Sequence, residues 1–293
     1  MVKKIENLIN ESISAMNKVK DKNPLTICIT NAVTINDCAN AILAIGASPA
    51  MTDYKEDIGE LVKISDVLVV NFGMLSDEKI EGIRTACKVA KESKVPIVID
   101  PVAVGITENR NKLMLELIKN YEITAIRGNM SEIKAIAKLL ELKEMENVEK
   151  NIAKGVDASE NDAITKNTLK ENSNIVKALS KKTKSIIISS GAIDIISNGE
   201  EVYGIENGDI MMTQITGCGC VLTSIIGSSI GSNNPLVGAI SATLAMGIAG
   251  EKAREFVDKN NSGTGTFRTK LIDYLYLLDD EMFKKNENIY SIE

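Results

Sequence analysis

Short apolar, β-branched runs alternate with amphipathic stretches along most of the chain. The runs cover residues 25–30, 67–73, 95–102, 122–128 and 185–191. They are too short and too uniformly apolar for exposed helices, and they read as buried strands. Between them, helical periodicity predicts helices over about 4–20, 36–45, 77–93, 109–120 and 172–181, then 221–230, 235–257 and 266–285. Ser76 stands as an N-cap, Gly46 closes the second helix, and Asn129 with Glu132 has capping-box spacing. Asn198-Gly199 predicts a hairpin at one edge of the sheet. Residues 46–52 read as a loop, and 141–175 as an exposed polar excursion. The whole pattern, residues 1–293, is that of one α/β domain: a mostly parallel central sheet with helices on both faces.

The apolar part of the 235–257 helix ends at Ala249 and reads as core, since it falls short of the ~18 residues of a membrane span. Charge is interspersed, 34 basic against 40 acidic residues, so the sequence offers no basic stripe for nucleic acid or an anionic membrane. The chain contains no Trp and few aromatic residues, which argues against base-stacking platforms. It also contains no histidine. That excludes Ser–His and Cys–His dyads, a histidine base and His-ligated zinc, leaving carboxylates, Lys, Arg, thiols, hydroxyls and an oxygen-held metal. Five cysteines, an odd number without a secretory h-region, read as reduced thiols of a cytoplasmic protein. Cys218-x-Cys220 has no second pair to complete a metal site.

The chemistry concentrates at residues 216–220, Thr-Gly-Cys-Gly-Cys, which feed a buried helix. Such a turn gathers unpaired backbone N–H groups at the positive end of a helix dipole, an anion hole formed by Gly217, Cys218, Gly219 and Cys220 that suits a phosphate. The same field is expected to lower the pKa of Cys220 and favour its thiolate. The alternative is that the glycines serve helix packing and Cys220 is a small buried residue. Asp100 ends the third strand, where ligands bind in open α/β sheets, or else it only opens an Asp-Pro turn. Arg127 ends the next strand. Met51 is either core filler or a ligand contact. There is no G-x-x-x-x-G-K-[ST] and no strand-linked G-x-G-x-x-G, so neither a P-loop nor a dinucleotide site is supported.

Six motifs in order, from about residue 24 to 278, resemble the hydroxyethylthiazole kinase family. They are Cys28-Ile29-Thr30-Asn31, Gly46-Ala47-Ser48-Pro49-Ala50-Met51, Asp100-Pro101-Val102, Arg127-Gly128-Asn129-x-x-Glu132, Gly155-Val156-Asp157 and Thr216-Gly217-x-Gly219-Cys220. The resemblance implies a three-layer ribokinase-like fold and ATP- and Mg2+-dependent phosphorylation of 4-methyl-5-(2-hydroxyethyl)thiazole in thiamine salvage. It further implies a homotrimer with active sites between subunits. Carried over, Asn31, Met51 and Gly217 face the thiazole, Arg127 and Ser190 bind ATP, Asp100 and Glu132 organise Mg2+ and phosphates, and Cys220 is the base where related kinases carry Asp. Departures from the family pattern include Cys218 for Thr, Ser189-Ser190-Gly191-Ala192 for Val-Thr-Gly-Glu, Ala103 for Gly, and Ile27 and Asp209 where histidines are common. Two other readings are a kinase for another small primary alcohol, of the hydroxymethylpyrimidine type, and a non-catalytic thiazole or nucleotide binder.

Overall fold

The computed structural model describes residues 2–145 and 164–293. Gly155-Val156-Asp157 and most of the polar excursion lie outside the described residues. Nine strands form one sheet in the order β2-β1-β3-β4-β5-β6-β7-β8-β9. The apolar runs become β1 (Leu25–Ile29), β3 (Val67–Asn71), β4 (Ile97–Asp100), β5 (Ala125–Asn129) and β6 (Ile186–Ser190). With β2 (Ser48–Met51) they make six parallel strands. Asn198-Gly199 turns β7 (Asp194–Ser197) antiparallel into β8 (Val202–Ile205), as its hairpin signal predicts.

Helices cover both faces, each face with its own apolar cluster. On one side lie α3 (Ile58–Lys63), α4 (Asp77–Ser93), α5 (Glu108–Asn120), α6 (Met130–Leu139) and α7 (Leu169–Thr183). The other side carries α1 (Val2–Lys22), α2 (Ile35–Ala44), α8 (Cys218–Ser232), α9 (Pro235–Lys259), α10 (Thr264–Leu277) and α11 (Asp280–Asn286). α9 is long and apolar enough by length and composition to cross a membrane, yet 83% of its most apolar window is buried inside the fold. Its small residues pack against α8 and α10 instead.

Two expectations need correction, and one strand goes unanticipated. The loop over 46–52 contains the edge strand β2, which pairs with β1 from Leu25↔Ser48 to Cys28↔Met51. Pro49 hides it, but an edge strand uses only one side of its backbone and tolerates a residue without an N–H. The terminal helix is two helices, broken where Leu278 turns extended and Asp279 caps α11 by accepting from Met282 N–H at 2.7 Å. A last strand, β9 (Ile289–Ser291), then pairs antiparallel with β8.

Candidate active site

The carboxyl ends of β1, β3, β4 and β5 meet the N-terminus of α8, and this is where the predicted residues gather. Gly217 is the N-cap of α8 at φ +88°, left-handed backbone that glycine adopts without a Cβ clash. A Cβ there would collide with Thr34 Cγ2, and one at Gly219 would collide with Arg127 Nη1. The first intrahelical bond is Val221 N–H to the Gly217 carbonyl at 2.9 Å. The N–H groups of Cys218, Gly219 and Cys220 therefore precede any helical acceptor, as an anion site requires.

Arg127 Nε donates to Ser190 Oγ at 3.1 Å, so the two residues expected to bind nucleotide are side by side. Together with Gly217, Cys218 and Gly219 they line a cavity of about 560 Å3. Its far wall is apolar, with Ile215, Leu222 and Met246. Asp194 also faces it, accepting from Gly191 N–H at 2.9 Å. Burial pushes the Asp194 carboxyl up to about 6 against the pull of the Gly191 amide and Arg127. A larger cavity, about 740 Å3 between α2 and α10, contains none of the predicted site residues.

Behind the glycine turn lies a hydrogen-bonded set that the sequence reading only partly anticipates. Asp100 is 1% exposed, and both Asn71 Nδ2 (2.8 Å) and Thr223 Oγ1 (2.9 Å) donate to its Oδ2. Asn71 Nδ2 also reaches Cys220 Sγ at 3.3 Å, and Asn31 Nδ2 reaches the same sulfur at 3.4 Å. Burial pushes the Asp100 carboxyl up to about 6; Glu132 adds to this, while Arg127, Thr223 and Asn71 oppose it.

The expected lowering of the Cys220 pKa is reversed. Burial, and secondarily the neighbouring Asp100 carboxylate, push the thiol up, with Thr34, Asn31 and Asn71 pulling it back. Burial thus favours the neutral thiol form of Cys220. The helix dipole was visible in the sequence, but the burial that outweighs it is tertiary. Cys218 is likewise pushed up to about 12.

Glu132 completes the capping box, accepting Asn129 N–H at 2.8 Å through Oε2. Its Oε1 accepts Ala103 N–H at 3.0 Å and so ties the loop after β4 to α6. Met51 lies at the end of edge strand β2, half-buried and packed on the core, outside the nucleotide-sized cavity. Sequence reasoning missed Asn71, Thr223 and Lys79. The buried Lys79 Nζ donates to the carbonyls of Thr30 (2.5 Å) and Gly73 (2.8 Å), clamping together the strand-end loops that carry Asn31 and follow Asn71.

The model of the hydroxyethylthiazole kinase family matches residues 16–281. The chain belongs to the hydroxyethylthiazole kinase family. A hydroxyethylthiazole kinase of Methanobrevibacter smithii is 52% identical over 284 residues, covering 97% of this chain and 98% of that one. A solved structure of a hydroxyethylthiazole kinase protein from Pyrococcus horikoshii superposes with a TM-score of 0.82 at 28% identity, covering 96% of this chain and 99% of that chain. A ribokinase-like superfamily protein from Enterococcus faecalis, at 12% identity and TM-score 0.56, covers 87% of each chain and shares the fold. The three-layer ribokinase-like architecture expected from the family resemblance is thus the one observed.

Proposed function

We propose that the protein transfers the γ-phosphoryl group of ATP to the hydroxyl of 4-methyl-5-(2-hydroxyethyl)thiazole, in thiamine salvage. The observation that carries this reading is the junction of two half-sites at the N-terminus of α8: a nucleotide-sized cavity holding Arg127 and Ser190, and a thiol set between Asn31, Asn71 and Asp100. The alcohol oxygen attacks the γ-phosphorus, the bond to the β,γ-bridging oxygen breaks, and ADP leaves. Cys220, once ionised, takes the alcohol proton. The amides at 218–220 stabilise charge on the transferring group. Asn31, Met51 and Gly217 form the thiazole side, and Arg127 and Ser190 hold the ATP phosphates.

Asp100 and Glu132 suit Mg2+ held partly through water or phosphate rather than in a protein cage. Among the described residues no cluster of three or more acidic or soft ligands could hold an ion alone, but both protein bonds to Asp100 fall on Oδ2, leaving Oδ1 for a ligand. Bound there, Mg2+ would neutralise phosphate charge. The deciding assay offers hydroxyethylthiazole beside hydroxymethylpyrimidine, with ATP, with and without Mg2+. Selective, Mg2+-dependent turnover of the thiazole is expected. Preferential turnover of the pyrimidine, or thiazole binding without turnover, would overturn the reading.

Removing Arg127 tests the nucleotide side. Arg127→Ala should raise the KM for ATP about tenfold or more, with a smaller change in the KM for thiazole, since charge-assisted bonds of this kind contribute ~1.5–3 kcal/mol. Gly219→Ala should reproduce part of that defect in a folded protein, because its methyl group displaces only the flexible end of Arg127. A defect confined to thiazole binding in either variant would contradict the assignment.

The reading includes a homotrimer with active sites between subunits. It is supported by exposed apolar side chains, Leu43 (56%), Tyr276 (69%) and Leu277 (55%), which line the groove between α2 and α10, with Val33 beside it in sequence. Sedimentation should give the mass of three chains; a monomer at micromolar concentration would remove this part. No nucleic-acid or membrane partner is invoked. All five cysteines are unpaired, which supports a reducing, cytoplasmic setting.

A further inference from the structure

We propose that Asn71 is a positioning residue that holds the Cys220 sulfur and the Asp100 carboxylate in one array for proton removal; the proposal rests on the reading of Cys220 as the base. Asn71 ends β3 opposite Asp100, its Cα partner on β4, so the sheet register itself sets the two side chains next to each other. Its side chain is 2% exposed and uses both ends of the amide. Nδ2 donates to Asp100 Oδ2 (2.8 Å) and Cys220 Sγ (3.3 Å), while Oδ1 accepts from Gly73 N–H (2.8 Å) and Asn31 Nδ2 (3.2 Å).

These four bonds fix the amide in one orientation. Flipped, its oxygen would face a carboxylate and a sulfur, and its NH2 group would face two donors. A residue needed only to close the turn at Gly73 would require the oxygen alone. The NH2 group instead bridges the two groups the reaction depends on. A donor directed at sulfur favours thiolate over thiol, opposing the burial that raises the Cys220 pKa. Asn31 supplies the second donor, and Asn71 orients it by accepting its other bond. One amide thereby sets both the direction of the sulfur lone pairs and the ease with which the thiol ionises.

Asn71→Asp separates this role from a structural one. The variant is isosteric and keeps an acceptor for Gly73 and Asn31, but it loses the donor and places a like charge beside Cys220 and Asp100. Asn71→Ala loses the donor without adding charge. The readouts are kcat and KM with ATP, Mg2+ and hydroxyethylthiazole, and the pH midpoint of Cys220 alkylation by iodoacetamide, followed by mass spectrometry in full-length protein carrying Cys218→Ser.

The midpoint should rise from wild type to Asn71→Ala to Asn71→Asp, by about one pH unit or more in the last. kcat near neutral pH should fall in the same order, about tenfold or more for Asn71→Asp, with the KM for ATP within about twofold. A purely structural role predicts instead that kcat falls further in Asn71→Ala, which loses the acceptor for Gly73 and Asn31, than in Asn71→Asp, and that the alkylation midpoint of Asn71→Ala stays at the wild-type value. Where Asn71→Ala melts below the assay temperature, Asn71→Ser, whose shorter hydroxyl both donates and accepts, replaces it and should fall between wild type and Asn71→Asp. An alkylation midpoint unmoved in the folded variants overturns the hold on the thiol even if Cys220 is essential. Wild-type turnover in Cys220→Ala overturns the base, and with it the link between Asn71 and turnover.

Discussion

Cys220→Ala is expected to lower kcat by ~10²–10⁴-fold, the usual loss when a positioned general base is removed, while the KM for ATP changes little. The split follows from where the sulfur lies. Cys220 Sγ points toward Asn31 and Asn71, whereas Arg127, Ser190 and the Cys218 and Gly219 positions line the nucleotide cavity. Truncation leaves the backbone amides of the turn and the Arg127 pair in place, so phosphate binding survives and proton removal does not. Because burial holds the thiol above its ordinary pKa, only a minor fraction is ionised at neutral pH. Wild-type kcat/KM should therefore climb as pH rises through and above neutrality. At the acid end, protonation of Asp100 near pH 6 removes activity in the same direction. In Cys220→Ala the alkaline climb should disappear and the loss near pH 6 should remain. An unchanged rate, or a variant that retains the alkaline limb, would reduce Cys220 to a packing residue.

What the sequence discloses, and what it hides, follows from how local each signal is. β3 and β4 are legible because uninterrupted apolar runs have few alternatives, and Asp100 stands out as a charge at the end of one. Asn71 occupies the equivalent place at the end of β3, yet an amide after an apolar run reads as an ordinary turn. Only the register Asn71↔Asp100 shows that the two ends are neighbours. Thr223 lies one helical turn beyond the glycine turn and was invisible as a site residue, because its bond to Asp100 depends on α8 packing across the sheet. The capping box of Asn129 and Glu132 is local and was read correctly. The sign of the Cys220 shift was not, since it balances a local dipole against burial that only tertiary packing supplies. β2 escaped because Pro49 is a strong loop signal that an edge position overrides, and β9 because three residues carry no period.

Asp100→Asn is expected to make the protein more stable and nearly inactive. Asp100 has a folded-state pKa of about 6 against an ordinary value of 3.8, so between those values the folded form binds its proton more tightly than the unfolded chain does. Stability contributed by the neutral carboxyl is present at low pH and is lost as pH rises toward 6. By pH 7 the penalty for keeping the buried carboxylate charged is on the order of 3 kcal/mol. Asparagine removes the charge and can keep both bonds, its carbonyl oxygen accepting from Asn71 Nδ2 and Thr223 Oγ1 in place of Oδ2. The melting temperature should rise by several degrees at pH 8, and the gap should shrink to roughly half at pH 5 and close only below about pH 4, where the unfolded carboxyl is protonated as well. Asp194, also pushed up to about 6, bends both stability curves alike, so the difference between them isolates Asp100. Adding ATP with Mg2+ should narrow the gap at pH 8 by stabilising the wild type more strongly than the variant. Turnover should fall by ~10²-fold or more, because the carboxylate that destabilises the free protein is the group offered to the metal and phosphates. A variant that melts lower than wild type at pH 8 would show that the Asp100 charge is already compensated within the fold, and a variant that is stable and fully active would remove Asp100 from the site.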